Sequence, residues 1–391
     1  MREVVIAGIG QIPVGEHWEL SLRTLAARAI SAARKDANNL RPDQGALRPD
    51  ALYIGNLLAS VLSHQANLGA LVAGNSGLEG IEAYTVEAGE ASGAGAMHAG
   101  YLAVASGLVD TALVLGVEKY TDMVGPETEA AVSQVMDTDY EGMQGLTPYG
   151  LAGLVARRYF YETGAPRSAL MPFALIAHEN GAGNPNAMYR KAIKPAVYES
   201  AEALADPLNM YDLAPYADGA AAVLLTTPEK LSAEERQRAV RVTGSGVSID
   251  TLALHDRPEP LAFEAVRRAV DTACQQAGVL PGEMNLFETW DSASIYALIS
   301  LEAVGLAPRG EGWKPAQAGE FGLHGRMPIL TLGGNKARGF PIGAAGVYQI
   351  VEAAIQLRGE AGPNQVPGAR RALTLALGGP ASTAIAHVLE R

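Results

Sequence analysis

The chain opens with Val4-Val5-Ile6-Ala7-Gly8-Ile9-Gly10, an unbroken apolar run closed by glycine. That is the pattern of a strand buried on both faces. Leu22, Leu25, Ala26 and Ile30 then recur at the helical period. Lys35 to Pro49 is polar, repeats Leu-Arg-Pro-Asp, and reads as a surface loop. The pattern goes on to predict a strand from Ala51 to Leu58, a helix from Gln65 to Gly74, an apolar helix from Ala99 to Ser106 and a strand from Thr111 to Gly116. Alternation of strand and helix implies an α/β body whose first half is mostly parallel sheet.

Lys119 to Leu213 interrupts that rhythm. It is rich in Met, Tyr, Pro and Gly, holds one clear helix from Leu151 to Tyr161, and has the length and irregularity of an insertion that covers a site. Ala220 to Leu225 resumes as strand, and the second half repeats the plan of the first. Ala239 to Gly246 is again an apolar strand with a glycine stop, followed by a helix from Leu261, a strand at Asn285 to Glu288 and a helix from Ser292 to Val304. A glycine-rich turn at Gly339 to Gly346 opens a helix to Leu357, and strands at Leu373 to Leu377 and Thr383 to Leu389 end the chain. The repeated order implies an internal duplication. The first half takes residues 1–118 and 214–235, the insertion 119–213, and the second half 236–391.

The 391 residues exceed one ordinary core, which agrees with two similar halves. A hydrophobic content of 48% describes a chain with a large buried interior. The net charge of −12 argues against nucleic acid or an anionic membrane as the main partner. Cys274 is the only cysteine, so an intramolecular disulfide and a cysteine-based metal cluster are both excluded. It falls in the helical pattern Phe263 to Ala277 and reads as a small core residue. The N-terminus runs straight into a strand and no apolar run is long enough to span a bilayer, so a cytoplasmic protein is expected.

The chemistry concentrates at Tyr84-Thr85-Val86-Glu87-Ala88-Gly89-Glu90-Ala91-Ser92-Gly93-Ala94-Gly95-Ala96-Met97-His98. A small-residue turn that opens a buried helix lets backbone approach closely and aims free N–H groups at one point. Glu90 occupies that turn, at the positive end of the helix dipole. The stretch resembles the nucleophile turn of the thiolase superfamily, above all the archaeal-type and sterol-carrier-protein thiolases, which read Val-Glu-Ala-x-Cys-Ala-Ser-Gly. Val86, Glu87, Ala88, Ala91, Ser92 and Gly93 match, while Glu90 stands at the cysteine position. Gly116-Val117-Glu118-Lys119 with Thr121-Asp122 resembles the entry to the family's covering loop domain. His178-Glu179-Asn180-Gly181 with Asn184-Pro185 resembles a run inside that domain. Tyr211-Asp212, Pro215 and Asp218-Gly219-Ala220-Ala221-Ala222 resemble its return to the core. The resemblance covers nearly the whole chain and implies a duplicated thiolase fold, a five-layer αβαβα sandwich with an inserted loop domain.

Thiolase chemistry needs a thiolate to carry the acyl group, a histidine to activate it, a base to form the carbanion and an oxyanion hole. By the same resemblance, the family's Glu-x-His-Asp becomes Glu288-Thr289-Trp290-Asp291, and Trp290 replaces the histidine. The family's Gly-His-Pro turn becomes Gly339-Phe340-Pro341, and Phe340 replaces the histidine. Asn-x-Ser-Gly-Gly becomes Leu330-Thr331-Leu332-Gly333-Gly334. The shaping glycines persist and the reactive groups are gone. Large apolar side chains at these positions narrow or fill the old chamber, and they are expected to pack around Glu90, with the carboxylate held by N–H groups near Ser92 and Gly93.

Glu90 has two readings: a helix-terminal carboxylate satisfied by the dipole and backbone N–H groups, or a general base or acyl-cysteine mimic whose pKa is raised by Trp290 and Phe340. His98, one turn into the helix, is close enough in sequence to reach Glu90, with packing as its other reading. His387 reads as a sheet residue. Ser292, Ser294 and Tyr296 are hydroxyls near Trp290, and the serines equally suit helix capping. The resemblance places His178, Asn184, Ser92 and Gly343 along an acyl-CoA site, and Arg190 and Lys191, with Arg157, Arg158 and Lys194, are the cations for its phosphates. A solvated loop face is their alternative. No permanently bound cofactor and no metal is expected, with CoA or acyl-CoA as a transient ligand.

Two functions follow. One is a thiolase-fold subunit without thiolase activity, binding an acyl-CoA or pairing with an active thiolase. The other is a CoA-thioester decarboxylase or retro-aldol lyase using Glu90, with an OB-fold (DUF35-like) subunit as some sterol-carrier-type relatives have. The family resemblance also implies a dimer, formed by pairing Thr111 to Val117 across a two-fold.

Overall fold

The computed structural model describes residues 1–41, 45–123 and 125–391. The first half contains β1 (Val5–Gln11), α1 (Leu22–Asn38), β2 (Ala51–Gly55), α2 (Leu68–Asn75), β3 (Glu82–Val86), α3 (Ser92–Ser106) and β4 (Thr111–Glu118). The insertion carries α4 (Pro126–Val132), α5 (Pro148–Thr163), α6 (Met171–Ala182), α7 (Pro195–Glu199) and a hairpin of β5 (Ala203–Ala205) and β6 (Leu208–Asn209). β7 (Gly219–Thr226) and α8 (Ala233–Arg238) close the first half. The second comprises β8 (Val240–Ile249), α9 (Glu264–Ala277), β9 (Leu286–Glu288), α10 (Ser294–Ala303), α11 (Trp313–Gln317), α12 (Ala345–Arg358), β10 (Arg371–Gly378) and β11 (Thr383–Glu390). α1 continues through Lys35 to Asn38, so the polar segment expected as loop begins as helix. The first Leu-Arg-Pro-Asp copy runs into residues 42–44, outside the described residues.

Apart from the β5–β6 hairpin, the described strands form one nine-stranded sheet in the order β3-β2-β4-β7-β1-β8-β11-β10-β9. With the extra edge strand β3 set aside, matching β1 with β8, β7 with β11, β4 with β10 and β2 with β9 makes that order a palindrome, which is the duplication in spatial form. Within the sheet the two halves pair where Val5 stands opposite Arg241 and Ile6 opposite Val240. The sheet is mixed rather than mostly parallel: β2 runs parallel to β3 and β4, and β9 to β10, while β7, β1, β8 and β11 pair antiparallel. The apolar runs of β4 and β7 fit either direction, because strands buried on both faces lose the alternation that marks one-sided sheets.

The layers follow from backbone approach. A Cβ on Gly10 of β1 would stand 2.3 Å from the Ala33 nitrogen of α1, and one on Gly246 of β8 would stand 2.1 Å from the Ala269 oxygen of α9. α1 and α9 therefore lie close on the two outer faces. Between the two halves of the sheet α3 and α12 cross where a Cβ on Gly346 would meet the Ala94 nitrogen at 2.6 Å. α3 is buried along most of its length and shows no apolar stripe, as expected of a central helix. α1 and α9 keep the amphipathic pattern of an outer layer, and Cys274 lies buried on α9. The result is the αβαβα sandwich.

Two further expectations are corrected. The insertion is far more helical than one helix, because Pro148, Pro172 and Pro195 start helices that its irregular composition conceals. β4 cannot pair across a two-fold, since β2 and β7 already occupy both its edges. The open edge on that side is β3.

Candidate functional site

The site begins at the turn from β3 into α3. The Ala88 N–H donates to Ser92 Oγ at 3.0 Å, and the Ser92 hydroxyl donates to the Gly89 carbonyl. Gly89 takes φ +60°, a conformation that favours glycine. The turn thereby directs Glu90 inward, where it is 6% exposed. A Glu90 carboxylate oxygen accepts the Gly379 N–H, from the turn after β10. The expected donors near Ser92 and Gly93 are therefore replaced by a donor 289 residues away. Burial pushes the Glu90 carboxyl up to about 7, against the pull of backbone N–H groups and with a smaller push from Glu87.

The space beside the carboxylate is about 10 Å³, lined among others by Val135, Tyr149, Tyr216, Tyr296 and Phe340. That is the lower limit for a single water. Phe340 is fixed at both ends of its peptide unit: its N–H donates to the Pro215 carbonyl at 3.0 Å, and its carbonyl accepts the Tyr120 hydroxyl at 2.6 Å. Trp290 packs behind Phe340, and its indole N–H donates to Ser292 Oγ at 3.0 Å. Tyr149 stacks on Tyr216 and donates its hydroxyl to the Ala214 carbonyl. Of the four side chains expected around Glu90 only Phe340 lines this cavity, while Trp290, Leu330 and Leu332 do not. Leu330 instead holds φ +51° at the start of the tight turn to Gly333.

That turn is supported by buried polar groups. Asn180 Nδ2 donates to the Leu330 carbonyl at 2.9 Å, and Asn184 Nδ2 to the Leu332 carbonyl at 2.8 Å. His178 is buried against Tyr189 and Tyr211, and burial, then the Lys336 charge, brings it down to about 4. Lys336 pairs with Asp291 at 3.1 Å and Arg338 with Glu352 at 2.8 Å, all four fully buried. Sequence reading missed these pairs, because Asn335-Lys336-Ala337-Arg338 between glycines has the composition of a solvated loop. The unbroken apolar surroundings on either side were the available signal.

The other expected site residues are dispersed. His98 turns away from Glu90: its Nδ1 lies 2.7 Å from Ser245 Oγ, which lies 3.0 Å from Nδ1 of His387. Ser92 is absorbed in the turn, and Gly343 packs against Glu118, whose Oε2 a Cβ there would meet at 2.6 Å. Arg190, Lys191 and Lys194 lie exposed on the insertion, Arg157 pairs with Asp206, and Arg158 pairs with Glu162. Arg158 also borders a 260 Å³ cleft with Leu151, Leu154, Leu254 and His255. Leu151 is shared with the Glu90 cavity. Among the described residues no group of three His, Cys, Asp or Glu is placed to hold a metal, and no helix is long and apolar enough to cross a membrane.

Residues 4–229 match the thiolase N-terminal domain and residues 246–391 the thiolase C-terminal domain-like family. The chain is 37% identical to an acetyl-CoA acetyltransferase of Methanothermobacter thermautotrophicus over 391 residues, all of both chains. It is 30% identical to the benzoylsuccinyl-CoA thiolase subunit BbsB of Thauera aromatica, over 97% of this chain and 95% of that one. Sterol carrier protein 2 of Bos taurus is 28% identical over 76% of this chain and 57% of its own length. The solved Ltp2-ChsH2(DUF35) aldolase shares the fold at TM-score 0.85 and 22% identity, covering 99% of this chain and 97% of that one. The chain belongs to the thiolase superfamily.

Proposed function

We propose that this chain is a thiolase-family subunit that binds an acyl-CoA or pairs with an active partner subunit, and that it lacks thiolase activity. The observation that carries this reading is the buried Glu90 carboxylate, which stands at the helix-opening turn and already accepts the Gly379 N–H. A backbone N–H of this kind is what an acyl-transfer site offers to a thioester oxygen. With its own carboxylate there, about 10 Å³ of free space, and Phe340, backed by Trp290, as a wall, the chamber has neither nucleophile nor room for a Claisen reaction. A CoA arm would reach Glu90 through the apolar cleft beside Arg158 and His255. Cytoplasmic location and dimerisation belong to the same proposal, the dimer now through the open edge of β3, which carries neither Lys nor Pro and exposes Tyr84 at 47%.

A second reading is favoured by one observation: a buried carboxyl raised to about 7 is matched to general-base work near neutral pH. It makes the chain a CoA-thioester decarboxylase or retro-aldol lyase. The solved aldolase with a DUF35 partner motivates an OB-fold (DUF35-like) subunit for this version. One experiment separates them. Purified chain is assayed for acetoacetyl-CoA thiolysis and for cleavage of β-ketoacyl- and β-hydroxyacyl-CoA, and its acyl-CoA affinity is measured by calorimetry. The first reading expects acyl-CoA or partner binding that Glu90→Gln leaves intact, with no turnover above background. Cleavage abolished by Glu90→Gln supports the second. Thiolysis that persists after host thiolase is removed refutes both.

A further inference from the structure

A large cavity lies apart from Glu90. It is a groove of about 980 Å³ between α6 and residues 316–325, reached also by Glu199 at the end of α7 and by Asn364. One wall is apolar, formed by Met171, Pro172, Leu175, Ile176, Leu323 and Pro363. Besides Ser168, Gln317 and His324, the polar lining holds the acceptors Glu179 and Glu199, which form no ion pair among the described residues, and no Lys or Arg lines the groove.

The floor adds an independent observation. Asn180 and Asn364 are each 4% exposed and both border the groove. Asn364 Nδ2 donates to the carbonyls of Asn180 and Thr331, both at 2.7 Å, and Asn180 Nδ2 donates to the Leu330 carbonyl. Since carbonyl oxygens only accept, these contacts fix which way each amide points. Each Oδ1 is left without a donor among the described residues. Asn364 Oδ1 presses on Gly183, itself part of the groove, where a Cβ would stand 1.9 Å from it.

Two near-buried acceptors and two free carboxylates beside an apolar wall ask for a ligand that combines donors, positive charge and hydrocarbon. The carboxylates are too dispersed to chelate a compact metal ion. We propose that this groove binds an extended aliphatic polycation of polyamine chemistry. Its ammonium groups meet Glu179, Glu199 and the Asn180 and Asn364 oxygens, and its methylene runs lie on Met171, Leu175 and Leu323.

A net charge of −12 attracts any polycation loosely, so the test must separate a site from a field. The full chain is titrated with spermidine by calorimetry at about physiological ionic strength, where diffuse attraction is screened. The expected result is one saturable site, weakened at least about tenfold by the double variant Glu179→Gln/Glu199→Gln. The equally charge-changing pair Glu19→Gln/Glu234→Gln, exposed elsewhere, leaves it unchanged. Absence of a saturable site, or equal weakening by both pairs, overturns the proposal. Trilysine peptide binding at Glu179 and Glu199 with no spermidine binding overturns it too, and assigns the groove to a basic segment of a protein partner.

Discussion

The indole of Trp290 meets the ring of Phe340 edge to face, with centroids 5.5 Å apart and planes at 79°. Both rings are buried, at 1% and 2% exposure, and Phe340 also borders the Glu90 carboxylate cavity. This pair closes the chamber by packing rather than by a lid. Phe340→Ala should cost about 3–5 kcal/mol and leave a cavity beside Glu90. Urea unfolding measures the loss, and a change within error of zero would mean that the ring is not part of the core.

The raised Glu90 carboxyl sets a pH signature. Its value is about 7 in the folded chain against an ordinary 4.5, so between those values the unfolded chain loses the proton first. Wild-type stability therefore falls relative to Glu90→Gln as pH rises through that window, and the difference levels off above about 7. The full span is on the order of 3 kcal/mol. Parallel melting-temperature curves for the two proteins between about pH 5 and pH 8 would contradict a burial-raised carboxyl.

The open β3 edge makes a prediction about assembly. Wild type should sediment as a dimer at micromolar concentration, and Tyr84→Lys should shift it to monomer with the fold retained, because a lysine on an exposed edge opposes strand addition. A wild-type monomer, or a dimer indifferent to this change, refutes pairing through β3.

The buried Arg338–Glu352 pair is most costly when half removed. Glu352→Ala leaves the Arg338 charge without its partner and should destabilise by about 3–5 kcal/mol. Adding Arg338→Met should recover much of that loss, a non-additivity that denaturant unfolding of the two single variants and the double variant reads directly.

Features of the fold carried by short-range pattern were legible in the sequence. Glycine-closed strands, the outer helices and their repetition are local, since period and turn residues act within a few positions. The place of Glu90 was legible for the same reason: the turn and helix that aim it are contiguous with it. Strand direction was not, because runs buried on both faces read alike in either orientation. The insertion's helices were hidden by proline, which breaks a helix inside it and starts one at its first turn.

By itself the sequence determined that a carboxylate, Glu90, stands at a helix-opening turn, and that the aromatic residues Trp290 and Phe340 lie in apolar, glycine-rich segments of the second half. Tertiary structure alone decided what surrounds each of them. It brought Gly379 to Glu90 across 289 residues, drew His98 to Ser245 across 147, and buried Lys336 and Arg338 against Asp291 and Glu352. Hydrogen bonds and ion pairs act over a few ångströms of space whatever the chain length between the partners. Periodicity records which face of an element is buried, and the partner it meets there is set only when the two halves close on each other.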